Sequence, residues 1–212
     1  MQIIPTILEK NFFEAEKKIL RVKDLIKRIQ IDVIDGVFGF GKTFELELIN
    51  KIKNVDNVLW ETHLMVKEPI KWIEKSININ SNRIIGQVEL MSNREEFVAK
   101  VKDNGLEAGL AFDIETEIGN IPEETDVVLL LGRKAGFGSL PMEDKIYEKI
   151  QQLVRIRKEN SLNFLIGVDG GVNKDNIKKL GDMGVEIAYC GGAVFDGKVE
   201  DNLKKLNYVG KN

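Results

Sequence analysis

The sequence predicts an α/β fold, a single (β/α)8 TIM barrel formed by residues 1–212. Three observations predict it. A chain of this length with 43% hydrophobic residues can bury one substantial core and suits one compact domain. Eight short β-rich runs alternate with amphipathic segments, which implies parallel strand order. Several runs are apolar at consecutive positions, as in Val127-Val128-Leu129-Leu130-Leu131, the pattern of strands covered on both faces. Eight strand-helix units are the count of a closed barrel; an open doubly wound sheet is the alternative.

The runs extend from Ile3 to Leu8, Gln30 to Ile34, Val58 to Met65, Arg83 to Glu89, Ala108 to Phe112, Asp126 to Leu131, Asn163 to Asp169 and Glu186 to Cys190. Between the first two, Phe12, Ala15, Ile19, Val22 and Ile26 recur at helical spacing and form one apolar stripe. Ser92 followed by Glu95 reads as a capping box opening a helix through Val101, and Gly105 can end it with positive φ. The acidic stretch from Ile114 to Glu124 is weakly defined. Ile146, Ile150 and Leu153 mark a long helix before the seventh run, and another helix runs from Asn173 through Ile177 and Leu180 to Met183, with Gly184 as its stop.

Composition excludes several classes of partner. The 31 basic and 34 acidic residues are interspersed and the net charge is -3, so no continuous positive face is expected for nucleic acid or an anionic membrane. The longest apolar run is far too short to span a bilayer, and Met1-Gln2-Ile3-Ile4 lacks a charged leader, so a cytoplasmic protein is expected. The single cysteine, Cys190, cannot close an intrachain disulfide and fits a reducing compartment.

Ionisable residues fall at strand ends: Asp32 and Asp35 on the second run, His63 on the third, Asp169 on the seventh. A carboxylate in a barrel strand costs free energy unless it is paired or bound to metal, so these positions read as a site. A buried hydrogen-bond network is the bland alternative. His63, the only histidine, would alone read as a core residue. With Asp32 and Asp169 it offers one nitrogen and two carboxylates, a set suited to zinc, manganese or iron. Glycines follow the last three runs: Gly136-Phe137-Gly138, Gly170-Gly171 and Gly191-Gly192. Glycine lets backbone N–H groups approach an anion, and barrels often hold phosphate at these loops.

These residues resemble the ribulose-phosphate 3-epimerase family. The ordered matches are Pro5-Thr6-Ile7-Leu8, Asp32-Val33-Ile34-Asp35-Gly36, His63-Leu64-Met65-Val66, Gly136-Phe137-Gly138, Val168-Asp169-Gly170-Gly171 and Gly191-Gly192. The resemblance implies a barrel of the ribulose-phosphate-binding type and epimerisation at C3 of a ketose phosphate through an enediolate, assisted by a divalent metal. Asp32 and Asp169 match the acid and base. They also match metal ligands, together with His63. Thr6, Met65 and the glycines match positions around the substrate and its phosphate. The resemblance further implies a phosphorylated sugar as partner, and association into a homo-oligomer is common in the family.

Several positions depart from the family pattern. The other metal-binding histidine falls at Gln30, whose amide offers only a neutral oxygen or donates hydrogen bonds. Val37 and Gly41 stand for a histidine and an asparagine, and Ile34 and Leu131 for two of the methionines around the reacting carbon. Gly132-Arg133-Lys134-Ala135 replaces a neutral, proline-containing loop, and Gly192 replaces a serine. The leading expectation is therefore an epimerase or close isomerase. A barrel that binds a phosphorylated ligand without turnover is the second reading. A decarboxylase or aldolase ranks last, because the strand runs supply no suitable lysine.

Overall fold

The computed structural model describes residues 1–136, 138 and 140–209. Eight parallel strands close a barrel in chain order. They are β1 (Gln2–Ile7), β2 (Arg28–Ile34), β3 (Leu59–Met65), β4 (Ser81–Gln87), β5 (Glu107–Phe112), β6 (Val127–Leu131), β7 (Leu165–Asp169) and β8 (Ile187–Cys190). The connecting helices are α1 (Phe12–Val22), α2 (Ile73–Asn78), α3 (Arg94–Asp103), α4 (Lys145–Glu159), α5 (Ile177–Asp182), α6 (Gly192–Phe195) and α7 (Val199–Val209). Every predicted run became a strand. Side chains alternate along each strand between two apolar layers. The outer layer packs beneath the helices, and the inner one fills the barrel with Ile4, Ile85, Ala111, Leu129 and Tyr189 among others.

Helix boundaries differ from expectation where polar side chains compete. Ala15, Ile19 and Val22 of α1 are buried as the stripe requires, but the helix ends at Val22 and Ile26 lies in the following turn. Ser92 does not cap α3. Asn93 does, its side chain accepting from Glu96 N at 3.1 Å, while the Ser92 hydroxyl donates to Glu68. Asparagine and serine are comparable caps, and Ser92 has a stronger acceptor in a carboxylate. The helix after β7 begins at Ile177 rather than Asn173, because the Asn176 side chain accepts from Asn173 N at 2.8 Å and holds that stretch as a turn. Gly105 and Gly184 do adopt positive φ, at 72° and 97°. The stretch from Ile114 to Glu124 forms no helix or strand, yet Ile114, Ile118 and Ile121 are buried. Lys149 of α4 anchors it by donating to the carbonyls of Asp113, Ile114 and Thr116. Among the described residues no helix is long and apolar enough to cross a membrane.

The N-terminal end of the barrel is closed by charge. Arg28 on β2, Glu61 on β3, Arg83 on β4 and Glu107 on β5 form a balanced network: Arg83 to Glu61 at 2.8 Å, Arg28 to Glu107 at 3.0 Å and Arg28 to Glu61 at 3.7 Å, with Arg83 also paired to Glu107. Glu61 is wholly buried, so removal of an arginine leaves an uncompensated charge. Arg83→Met should destabilise the protein by about 3 kcal/mol in urea denaturation, whereas the Glu61→Met/Arg83→Met pair should recover part of that loss because Arg28 and Glu107 still balance. A double variant less stable than Arg83→Met would contradict this account.

Candidate active site

Strand register brings the predicted residues to the C-terminal mouth of the barrel. Asp32 is the direct neighbour of His63 across β2 and β3, and Asp169 ends β7 opposite Leu131 of β6. Alternation along the strands turns Gln30 and Asp32, His63 and Gln87 inward. One oxygen each of Asp32 and Asp169 and one nitrogen of His63 lie within 4.8 Å of one another, a cluster that can hold a metal ion.

A continuous polar chain links these groups. Gln30 Nε2 donates to Asp32 Oδ1 at 2.9 Å and to Asp169 Oδ2 at 3.2 Å. Asp32 Oδ1 is 3.1 Å from His63 Nδ1, and His63 Nε2 is 2.7 Å from Gln87 Oε1. An amide oxygen only accepts, so His63 Nε2 carries a proton and Nδ1 is the nitrogen turned toward the two aspartates. Burial works to lower the His63 pKa, but the hydrogen bond and charge of Asp32 outweigh it and hold the ring above its ordinary value. Asp169 moves further: burial first, then the charge of Asp32, push its carboxyl up to about 7. Near neutral pH, ionised and protonated forms of this carboxyl coexist.

Above these groups lies a cavity of about 690 Å³. Asp32, His63 and Asp169 form part of its floor, with Thr6, Met65, Leu131 and Tyr189 alongside. Gly136, Gly138, Gly170, Gly171, Gly191 and Gly192 line its rim, so all six predicted cradle glycines after β6, β7 and β8 sit around one space; Phe137 lies outside the described residues. Gly170 and Gly171 both have positive φ, and a Cβ on Gly171 would meet Met142 N at 2.6 Å, so only glycine permits this reversal. At β8, a Cβ on Gly191 would stand 3.2 Å from the Thr6 hydroxyl.

Other predicted positions fall elsewhere. Gln30 is fully buried beneath the cavity, not in its wall. Asp35 is a turn residue: it accepts from the N–H groups of Val37, Phe38 and Lys67 at 2.8 to 2.9 Å. Burial acts to raise its pKa, and those N–H groups overcome it and hold it low. Sequence reasoning missed Gln87, whose signal was an amide at the C-terminal end of β4, directly after Ile84-Ile85-Gly86. It also passed over Tyr189, Lys18 and Asp196, which line the cavity from β8, α1 and the segment after α6.

Comparison with known proteins agrees in sequence and in fold. A sequence model of the Ribulose-phosphate 3 epimerase family matches residues 2–195. Ribulose-phosphate 3-epimerase of Helicobacter pylori is 26% identical over 93% of this chain and 92% of its own length. That of Bacillus subtilis is 27% identical over 92% of each. Among solved structures, 3-hexulose-6-phosphate synthase from Salmonella typhimurium superposes with a TM-score of 0.71 at 11% identity, over 100% of this chain and 99% of that one. KGPDC from Streptococcus mutans, solved in complex with D-R5P, gives 0.71 at 9% identity over 99% and 96%.

Asp169 should leave a signature in stability when chelator keeps the protein metal-free. Its carboxyl titrates near 7 folded and at about 4 unfolded, so between those values the folded state binds the extra proton and stability falls as pH rises toward 7. Asp169→Asn removes that penalty. From about pH 5 to about pH 8 the variant's Tm should gain on wild type by on the order of 5 °C in calorimetry. An offset that stays constant with pH would contradict the raised pKa.

Proposed function

The chain belongs to the ribulose-phosphate 3 epimerase family, and from that premise we propose that it inverts C3 of a ketose phosphate, ribulose 5-phosphate or a related pentulose or hexulose phosphate. The observation that carries the proposal is the pair of carboxylates, Asp32 and Asp169, on the floor of one cavity with the pKa of Asp169 near 7.

Epimerisation needs a base on one face of C3 and an acid on the other. One aspartate takes the C3 proton; the C–H electron pair forms the double bond to C2, and the C2 carbonyl oxygen takes the negative charge. The other aspartate, protonated, delivers its proton to the opposite face of C3 as the carbonyl re-forms. No proton is gained or lost, and the two carboxyls exchange protonation states. A shared proton between close, buried carboxylates prepares one acid and one base at neutral pH. Gln30 holds both side chains in place, and Gln87 fixes the His63 ring. The glycine turns after β6, β7 and β8 present backbone N–H groups to the phosphate, and Thr6, Met65 and Leu131 wall the carbon chain. In this reading residues 1–212 act as one barrel domain in the cytoplasm.

The donor set fits a divalent cation. Asp32, His63 and Asp169 supply one nitrogen and two carboxylates, and Gln30 Oε1 is buried with no hydrogen-bond partner. Rotation of the Gln30 amide would exchange that oxygen with the nitrogen now facing the carboxylates, which gives a fourth, neutral ligand. Zinc, manganese or iron held there would supply Lewis acidity to the C2 oxygen. The amide's present contact with both carboxylates also favours a second reading, a barrel that binds a phosphorylated ligand without turnover.

NMR-monitored exchange of the C3 proton in deuterated water tests the proposal. Wild-type protein with manganese, zinc or iron should catalyse exchange in a ketose phosphate, and Asp32→Asn or Asp169→Asn should lower the rate by about 10³-fold or more. Gln30→His should raise metal content and exchange together. No exchange with any ketose phosphate and any of the metals would sink the catalytic reading, and thermal stabilisation by sugar phosphates without exchange would select the binding one.

A further inference from the structure

The rim carries a cation that the glycine turns alone do not require. Arg133 follows β6, and the loop is tied down at its base by Gly132 N donating to Asp169 O at 2.6 Å. Its side chain runs along the next turn: a Cβ on Gly170 would meet Arg133 Cγ at 2.9 Å. Arg133 is half-buried, lines the cavity, and donates from Nη1 to the Leu140 carbonyl at 2.5 Å. That bond orients the guanidinium without neutralising it.

Charge balance singles this residue out. Three cations line the cavity: Lys18, Arg133 and Lys134. Lys18 is committed to Glu9 at 2.5 Å and lies over the Phe195 ring. Among the described residues no carboxylate pairs with Arg133 or Lys134. Lys134 is exposed, as expected of a solvated surface lysine. Across the rim the wall is acidic: Asp196 Oδ2 lies 3.1 Å from where a Cβ on Gly192 would stand. Gly192 itself has no hydroxyl to donate. A phosphate monoester, which carries about two negative charges at neutral pH, would meet the carboxylates of Asp196 at the rim and Asp169 below, and among the described residues Arg133 and Lys134 are the lining cations that no carboxylate pairs with.

We infer that Arg133 is a side-chain ligand of the phosphate monoester, supplying a half-buried positive charge that no carboxylate pairs with among the described residues. Its planar fork matches phosphate oxygens in a way that the point charge of a lysine does not. The inference rests on the phosphate reading of the glycine turns under Proposed function, and it holds whether or not the bound sugar is turned over.

Inorganic phosphate tests it without any appeal to activity. Its Kd should be measured by calorimetry at constant ionic strength for wild type, Arg133→Met and Arg133→Lys, with Arg155→Met, an exposed change on α4, as the charge control. Arg133→Met should weaken phosphate by about tenfold or more, Arg133→Lys should restore part of that loss, and Arg155→Met should stay within about twofold of wild type. If turnover is present, KM for the sugar phosphate should rise by a larger factor than kcat falls. Should Arg133→Met fail to fold, Arg133→Gln is judged by the same criteria. Equal phosphate affinity in the Arg133 and Arg155 variants would overturn the inference. Phosphate binding that depends on Arg133 in a protein with no C3 exchange would instead overturn the catalytic reading and leave this one standing.

Discussion

Two close carboxylates on the floor of one cavity cannot both stay ionised unless something positive, or a proton, stands between them. Asp32 and Asp169 impose that constraint, and the neighbouring polar groups answer it. Gln30 donates from its amide nitrogen to both carboxylates, and His63 faces Asp32 with the nitrogen left after Gln87 has taken the other. What remains, burial first and then the charge of Asp32, appears in Asp169, whose pKa is pushed up to about 7. A metal, a shared proton and a donated amide hydrogen are three ways of meeting the same electrostatic demand. The chain has side chains suited to each.

The barrel makes this concentration of charge affordable by separating polar levels along its axis. At the N-terminal end, Arg28, Glu61, Arg83 and Glu107 neutralise one another inside the strands. Above them Ile4, Ile85 and Leu129 form an apolar layer, and above it lies the acidic floor of the cavity. The closed sheet leaves no edge, so backbone polar groups are satisfied within the wall and side chains alone determine what the interior contains. Strand register then places Asp32 beside His63 without any long loop having to order itself.

The fold was legible because parallel strands buried on both faces are written as plain apolar runs, and Val127 to Leu131 could scarcely be read otherwise. Asp32, His63 and Asp169 were legible for the complementary reason, since charge in such a run demands a partner. Gln87 and Tyr189 escaped because an amide or a phenol in a strand looks neutral until its partner across the barrel is known. Asp35 misled through proximity: it ends the same segment as Asp32, but its oxygens serve three backbone N–H groups of a turn. Ser92 and Asn93 are both competent caps, and only the tertiary contact of Ser92 with Glu68 decides between them.

The departures from the family pattern fall at the two ends of one proposed substrate, and charge connects them. At the floor, Gln30 stands where the resemblance places a metal-binding histidine, and its neutral amide brings no positive charge to Asp32 and Asp169. At the rim, Gly192 stands where the resemblance places a serine, and Asp196 beside it adds a carboxylate to the cavity wall. Arg133 stands between these ends, its loop tied to the last residue of β7, and its positive charge works to lower the pKa of Asp169 against the larger effects of burial and Asp32. A cation at that place compensates both changes at once, which gives a physical reason for an arginine where a family of this kind otherwise has a neutral loop.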